Sequence, residues 1–221
     1  MAEVFSRNGG TLLTSTPVES LVIGNGRVRG VRTGNGDVYE ADHVIINADF
    51  AHAMTHIVPD ENRGRYSREK LLQKGYSCST FMMYFCLDTV LPLEHHTIVF
   101  ADDYRKNVDD ITEGRIPYGN SSFYVRNSAR TDTTVAPDGC SGLYILVPVP
   151  NNKSGADWNE EGPRIREWVI QTMKSRLGID NLEAHILNER IITPHEWEYG
   201  FNVFLGATFN LAHSLDQLLW F

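Results

Sequence analysis

The feature that most constrains the fold is a stretch of alternating apolar and polar residues, from 11 to 47, that contains two Asn-Gly pairs. Alternation with a period of two is typical of strands. Asn-Gly between such segments indicates a tight hairpin turn, because both residues accept positive φ. We therefore expect a β-meander made of the segments TLLTSTPVESLVI, RVRGVRT, DVYE and HVIINAD.

The first of these turns also resembles the start of a phosphate-binding loop, in which glycine is needed at three places and a helix follows. Gly24 and Gly26 fill the first two places, but Arg29 occupies the third. The residues that follow have the period of a strand and not that of a helix. The sequence therefore favours a turn over a nucleotide loop.

Composition narrows the class of protein. The chain has 221 residues, 42% of them hydrophobic, which is enough for one large or two small cores. The net charge is −8, and the sequence has no run of basic residues that could neutralise phosphates. We therefore exclude nucleic acid as a partner. Three widely spaced cysteines predict neither a disulfide framework nor a zinc site and fit a reducing cytosol. No apolar run is long enough to span a membrane, so membrane contact would be peripheral.

Both ends of the chain are unusual for a free domain, whose termini are commonly polar and mobile. A short helical segment precedes Gly9-Gly10, and the chain closes on LDQLLWF. We expect a fragment of a larger protein.

The middle of the chain predicts a second region, with helices and then strands. FAHAMTHIV and RYSREKLLQKG have helical character, and the second is closed by Gly75. Four aromatic and β-branched segments follow and predict one mainly antiparallel sheet: YSCSTFMMYFCLD, HHTIVFAD, SSFYVRNSA and GLYILVPVP. EEGPRIREWVIQTMKSRLG predicts a helix packed on that sheet, ending at Gly178. LEAHILNERIITPHEWEYGF predicts a strand that runs into an exposed corner at Pro194, so the class is α+β.

Several longer segments carry a family resemblance: TPVESLVIGNGRVRGVRTGNGDVYEADHVIINAD, HHTIVFADDYRKNVDDI, SFYVRNSARTDTTVAPDGCSGLYILVPVPNN and ITPHEWEYGFNVFLGATFNLAHSLDQLLWF. They resemble the bacterial and fungal type of phytoene desaturase, in one order over nearly the whole chain. The resemblance implies an FAD-dependent carotenoid desaturase of the amine-oxidase-like superfamily that acts on phytoene. It also implies three parts: part of a Rossmann-like, α/β FAD-binding domain in residues 1–49, a substrate domain in 50–200, and a return segment toward the FAD domain in 201–221.

The resemblance also implies which residues contact the flavin. Val18 matches a valine whose backbone pairs with the adenine end of FAD, although a buried strand valine fits equally well. Asn47, Ala48 and Asp49 match a turn beside the dinucleotide, with a helix N-cap as the alternative for Asp49. Gly206 would let the backbone approach the flavin ring or the polyene, or would form a β-bulge. Because the family's G-x-G-x-x-G is absent, we expect this chain alone to bind FAD poorly.

A desaturase needs a long apolar tunnel, and Met and aromatic side chains adapt to a flexible polyene. Phe81, Met83, Phe85 and Phe204 are our candidates for the tunnel lining, with ordinary core packing as the alternative. No residue stands out as a catalytic base. Arg126 and Arg130 are candidates for binding a carboxylate, a phosphate or a lipid headgroup, or for surface ion pairs.

Other polar and aromatic residues give weaker indications of function. The pairs His95-His96, Asp102-Asp103 and Asp109-Asp110 predict no metal site, since neighbouring residues do not converge, and ADDYRKNVDDI predicts a surface helix with its cap. Trp158, Trp168, Trp197 and Trp220 are candidate anchors at a membrane interface, although the helix pattern places Trp168 in the core.

Two other readings remain open. One is a relative that acts on diapophytoene, or a carotene isomerase of the same superfamily. The other is a catalytically silent, truncated module that holds a carotenoid without flavin. For the desaturase we expect a cytoplasmic protein in peripheral contact with the membrane that stores its substrate.

Overall fold

The computed structural model describes residues 1–218 and divides the chain into two compact units, Met1–Lys74 and a second that begins at Gly75. The three-part division expected from the resemblance stays a prediction.

The first unit contains the expected meander, in a shorter form. A short helix, α1 (Ala2–Arg7), precedes three antiparallel strands in the order β1 (Val18–Gly24), β2 (Arg27–Thr33) and β3 (Val38–Glu40). Asn25 and Gly26 have φ values of 52° and 72°, so this glycine segment is the hairpin turn between β1 and β2. That prediction is confirmed.

The prediction of a fourth strand in residues 43–49 is wrong. These residues pair with no strand within residues 1–218, and Ile45 is 94% exposed. A strand exists only where a neighbour takes up its backbone hydrogen bonds. The alternation of apolar residues was therefore not sufficient.

Short helical segments complete the first unit: α2 (Phe50–His52), a π-helical turn (Ala53–Ile57), a 3₁₀ turn (Asp60–Asn62) and α3 (Arg68–Gln73). The Asp49 Oδ1 accepts a hydrogen bond from the His52 backbone N–H at 2.8 Å. Asp49 is thus the N-cap of α2, the alternative that the sequence offered for it.

The second unit is a five-stranded antiparallel sheet with helices. Its strands are β4 (Ser79–Leu87), β5 (His96–Val99), β6 (Phe123–Asn127), β7 (Ser141–Val149) and β8 (Ile186–Ile192), in the spatial order β5-β6-β7-β4-β8. Its helices are α4 (Tyr104–Thr112), α5 (Trp158–Leu177), α6 (Pro194–Phe201) and α7 (Leu215–Leu218). The prediction of an α+β fold with a mainly antiparallel sheet is confirmed.

One face of this sheet and the apolar side of α5 form the core. Alternate residues of the strands point to this face, and α5 contributes its own apolar residues. The main members are Phe81, Met83, Phe85, Phe123, Val125, Leu143, Ile145, Val147, Ile165, Val169 and Met173. As predicted, α5 ends at Gly178, whose φ of 68° closes the helix in the left-handed conformation.

The exposed corner expected at Pro194 is wrong. Pro194 is buried and is the first residue of α6. Thr193 is the N-cap, with its Oγ1 accepting a hydrogen bond from the Glu196 N–H at 3.3 Å. Proline is favoured at this position because its missing N–H would have no partner in the helix and its φ already suits a helix.

None of the helices in residues 1–218 combines the length and hydrophobicity that a membrane span requires. Three of the four tryptophans have partners inside the second unit. Trp158 donates to the Asn152 Oδ1 and Trp197 to the Thr80 carbonyl, each at 2.9 Å, and the Trp168 ring lies 5.6 Å from that of Phe123. The fourth, Trp220, lies outside the described residues.

Candidate functional site

The second unit contains an open groove of about 980 Å³ beside the sheet face that α5 does not cover. We call it the groove. Strands β5, β6 and β7 form one wall, α4 forms another, and two chain segments form the floor. The apolar and aromatic residues that line it are Tyr76, Ile98, Phe100, Tyr104, Val108, Ile111, Tyr124, Leu146, Pro148 and Pro150. A cavity of this size with mostly apolar walls suits an elongated apolar ligand.

The sheet wall follows from the period of the strands. Along β7, Leu143, Ile145 and Val147 point into the core, so Tyr144, Leu146 and Pro148 point the other way. Leu146 lies opposite Tyr124 of β6, and Tyr124 lies opposite Ile98 of β5. The apolar wall therefore continues across three strands.

Helix α4 forms the second wall and is held in place by polar contacts. Asp103 caps it, accepting a hydrogen bond from the Lys106 N–H at 2.9 Å. The Asn107 Oδ1 accepts a hydrogen bond from the Ser122 N–H at 3.1 Å, which ties the helix to the start of β6. These contacts fix the orientation of the side of α4 that carries Tyr104, Val108 and Ile111.

Asp110, on the same helix, is buried but paired with Lys106 and Arg115. Hydrogen bonds from these two side chains hold the pKa of the Asp110 carboxyl below its usual value. The carboxylate is therefore ionised at neutral pH and has a structural role.

Helix α4, with Asp103 as its N-cap, confirms the prediction that ADDYRKNVDDI forms a capped surface helix.

The floor of the groove joins two segments that are far apart in sequence. The Ser77 N–H donates to the Asn210 carbonyl, and the Ala212 N–H donates to the Gly75 carbonyl, both at 3.0 Å. The side chain of Gln217 also bonds to both backbone groups of Gly75. Residues 210–213 thus belong to the structure of the groove.

Cys78 is the one thiol on the groove lining in the described part of the chain. Burial raises the pKa of this thiol. It therefore stays protonated at neutral pH and is unsuited to act as a nucleophile.

A row of polar and aromatic side chains lies next to the apolar wall on the same sheet face. It runs across all five strands: Arg190 of β8, Tyr84 of β4, Tyr144 of β7, Arg126 of β6 and His96 of β5 are successive neighbours. The rings of Tyr84 and Tyr144 meet edge to face at 5.4 Å. We call these five residues the polar row.

The tyrosines of the polar row are partly shielded from water. Burial raises the pKa of Tyr84, and burial followed by the nearby Tyr84 and Tyr124 phenols raises the pKa of Tyr144. Tyr124 joins the row to the groove, because its ring lines the groove while its hydroxyl lies 2.6 Å from the His96 Nδ1. The sheet face thus changes from apolar to hydrogen-bonding within two residues along each strand.

The candidate tunnel residues lie elsewhere. Phe81, Met83 and Phe85 are fully buried on the helix-facing side of β4, and none of them lines the groove. Phe204 is buried behind the lining, with its ring 5.4 Å from that of Tyr76. Their role in a tunnel stays a prediction, while the packing gives all four the core role named as the alternative.

Gly206 has a clear structural reason to be glycine. Its φ is 63°, and a Cβ at this position would lie 2.3 Å from the Pro194 carbonyl oxygen. The same carbonyl accepts a hydrogen bond from the Asn152 Nδ2 at 3.0 Å. Gly206 therefore permits a close approach between two segments of the second unit, whatever its role toward a cofactor.

The remaining flavin candidates lie in the first unit. Val18 opens β1, opposite Thr33, and its side chain is 40% exposed. Asn47 and Ala48 are exposed, and Asp49 caps α2. Their contacts with a flavin stay predictions. In residues 1–218 no cluster of three or more His, Cys, Asp or Glu side chains forms a metal site.

Sequence reasoning missed most of the groove lining, including Ile98, Phe100, Tyr104 and Tyr124. One signal was present in β7, where SGLYILVPV is apolar at both odd and even positions. A strand that is apolar on both sides indicates that both faces of its sheet are covered in the working protein.

The family model and the most similar curated proteins agree on the family of this chain. Residues 1–206 match the model of the family described as flavin containing amine oxidoreductase. The chain is 47% identical over its whole length to a 4,4'-diapophytoene desaturase of Methylomonas, covering 43% of that protein. It is 41% identical over 95% of its length to an all-trans-zeta-carotene desaturase of Myxococcus xanthus, covering 40% of it. A lycopene-forming phytoene desaturase of Pseudescherichia vulneris is 31% identical over the whole chain, which covers 45% of it.

A solved structure, an oxidoreductase from Methanosarcina mazei, aligns with a TM-score of 0.55 at 18% identity. The alignment covers 86% of this chain and 40% of the other, and at this identity it supports the fold alone. The chain spans less than half the length of each of these three desaturases.

Proposed function

Because the chain belongs to the family of flavin-containing amine oxidoreductases, we propose that it forms the substrate-binding part of an FAD-dependent carotenoid desaturase. The groove is the observation that carries this proposal. Its apolar and aromatic walls suit a long hydrocarbon.

The residues of this chain do not by themselves fit the diphosphate of FAD. In residues 1–218 no glycine-rich segment joins a strand to a helix N-terminus, and Gly24-Asn25-Gly26 is a hairpin turn. We propose that the flavin is held mainly by protein regions that correspond to the parts of the longer relatives outside the match with this chain. The role of this chain is then to bind the polyene, exclude water from it and fix its position.

The substrate that we propose is phytoene or the shorter diapophytoene, since the relatives carry the names of desaturases for both. These molecules are hydrocarbons without hydrogen-bonding groups, so the groove must recognise them by shape and apolar contact. Aromatic rings such as Phe100, Tyr104 and Tyr124 provide flat surfaces for a polyene.

We also propose peripheral contact with a membrane, in the cytoplasm, because such substrates dissolve in lipid. The groove lining supports this proposal: Ile98, Phe100 and Tyr104 are 56–58% exposed, and the rings of Phe100 and Tyr104 lie 6.0 Å apart. Flotation of the purified chain with neutral phosphatidylcholine vesicles tests it. Replacing Phe100 with Ser should reduce flotation, whereas the same change at the exposed Phe209 should not.

The activity is tested by expressing the longest reading frame that contains these residues in cells that accumulate phytoene, and by analysing the pigments. Coloured polyenes would support a desaturase, and their length and number of double bonds would identify the substrate. Unchanged phytoene in the presence of soluble protein with bound flavin would contradict the proposed substrate and favour diapophytoene or an isomerase. A protein that binds polyene without flavin would favour a silent carotenoid-binding module.

A further inference from the structure

Arg126 occupies an unusual electrostatic position on the open sheet face. It lies on β6, directly opposite His96 of β5 and Tyr144 of β7, and two residues from Tyr124. Its side chain is exposed, and its Nε lies 3.4 Å from the His95 Nε2. No carboxylate lies within 4.0 Å of it among the described residues.

Other arginines of the second unit show how such a charge is otherwise balanced. Arg190, at the far end of the polar row, pairs with Glu196. Arg115 pairs with Asp110 and Glu113, and Arg166 pairs with Glu183 and Glu189. In a chain with a net charge of −8, Arg126 instead faces two imidazoles and two phenols.

The neighbours of Arg126 are hydrogen-bonding groups. The Tyr124 hydroxyl and the His96 Nδ1 form one pair, and the His95 Nδ1 forms another with the Thr131 hydroxyl at 2.5 Å. Tyr144 of β7 lies directly opposite Arg126 in the sheet and carries a further phenol. Together these residues provide one fixed positive charge with several donors around it, which is what a carboxylate requires.

This cationic region is continuous with the groove. His96 and Ile98 are two residues apart on β5, as are Arg126 and Tyr124 on β6, and Tyr144 and Leu146 on β7. Residues two apart on a strand share a face and are separated by roughly 7 Å. A ligand whose chain lies on Ile98, Tyr124 and Leu146 would therefore bring its end group to Arg126.

We propose that Arg126, together with Tyr124, His96 and Tyr144, is a binding subsite for the carboxylate of a long unsaturated acid whose chain lies in the groove. The proposal rests on the proposed function, in which the groove binds polyenes, and extends its ligands from pure hydrocarbons to acids. A hydrocarbon offers Arg126 no negative charge, whereas a carboxylate accepts two hydrogen bonds from a guanidinium.

The test compares two fluorescent probes that differ only at the end group, the tetraene fatty acid cis-parinaric acid and its methyl ester. Both are titrated into the purified 221-residue chain at low ionic strength. We expect the acid to bind about threefold to tenfold more tightly than the ester, the range for one accessible charge-assisted interaction. The preference should shrink as salt is added, because salt screens an exposed ion pair.

The variants isolate the charge. In R126Q the acid and the ester should bind equally, with the affinity for the ester unchanged, and R126K should keep part of the preference. R130Q is the matched control, because Arg130, the other arginine considered for a carboxylate, is also exposed but lies beyond β6 in the 3₁₀ turn Ser128–Arg130 and outside the polar row. It should leave the preference intact.

The outcomes distinguish a failure of the carboxylate subsite from a failure of the groove as a polyene site. If the ester binds but the acid has no advantage, or if R126Q keeps the advantage, the subsite is wrong while the groove stands. If neither probe binds the folded chain, the groove as a polyene site is wrong and the subsite falls with it.

Discussion

The two faces of the five-stranded sheet are built from similar residues but serve different ends. The face toward α5 carries Phe81, Phe85 and Ile145, which are at most 1% exposed. The opposite face carries Tyr84, Tyr124 and Leu146, which are only half-buried, and Ile98, which is 58% exposed. An apolar side chain that is left exposed costs free energy in water, so the second face is explained by what it binds and the first by what it stabilises.

The largest expected difference between the faces is in stability. Phe81→Ala removes a ring that packs against Gly162 of α5, and we expect it to lower the free energy of unfolding by about 3–5 kcal/mol. Ile98→Ala on the open face should cost less than about 1 kcal/mol, because little packing is lost there. Urea denaturation followed by circular dichroism measures both. Equal losses would contradict the division between the two faces.

The next prediction asks whether the chain segment that precedes the floor of the groove depends on close packing as the core does. Gly206→Ala adds a Cβ that would lie 2.3 Å from the Pro194 carbonyl oxygen, in addition to the strain of a left-handed alanine. We expect a loss of about 3 kcal/mol or more.

Gly139→Ala is the control for that change. Gly139 has a similar φ of 76°, but a Cβ there meets nothing within 4 Å. Its cost should be only that of the backbone conformation, about 1–2 kcal/mol. Thermal unfolding of both variants separates the steric contribution from the conformational one, and equal shifts would remove the argument for close approach at Gly206.

The third prediction concerns binding on the open face. Leu146→Gln places an amide in the apolar wall of the groove, and it should weaken binding of the ester probe about fivefold to tenfold, with stability changed by less than about 1 kcal/mol. Leu187→Gln, at an exposed position of β8, is the matched control and should leave binding unchanged. Fluorescence titration gives the affinities. If both variants bind alike, Leu146 is not part of the ligand site.

The comparison of the faces also shows what the sequence could predict. Local signals sufficed for the strands of the large sheet, for α5 with its Gly178 cap, and for the Asn25-Gly26 turn, because periodicity and turn chemistry are local properties. The proposed strand in residues 43–49 failed, since Ile45 has no paired neighbour in the described chain. Strand pairing is a property of tertiary structure that alternation alone cannot supply.

The sequence could not predict which face of the sheet packs against α5, and the reason is related. FMMYF in β4 is apolar on both sides, so its period does not tell which side meets α5. Phe81, Met83 and Phe85 are candidate ligand contacts because Met and aromatic side chains suit a polyene, but the same side chains fill cores as readily as grooves. The approach of His96 to Tyr124, 28 residues away, likewise depends on the pairing of β5 with β6.

The smallest expected effect is in the titration of the open face. The pKa values of Tyr84 and Tyr144 are raised, first by burial, and for Tyr144 also by the neighbouring phenols. A phenol whose pKa is higher in the folded than in the unfolded chain stabilises the fold below the unfolded value of about 10. That stability is lost as the pH rises through the folded value. The core face carries no such group among its main members, so the alkaline loss of stability should come from the open face.

Tyr84→Phe should therefore make the unfolding free energy fall less steeply above about pH 10, and should move the ionisation of Tyr144 toward its ordinary value, because a neighbouring phenolate is removed. Phenolate absorbance during alkaline titration, combined with urea unfolding at neutral and alkaline pH, measures both effects. Tyr199→Phe, at a 70% exposed position of α6, removes one phenol away from the polar row and is the control. If it alters the alkaline stability as much as Tyr84→Phe does, the shielding of Tyr84 and Tyr144 on the open face is not what sets that dependence.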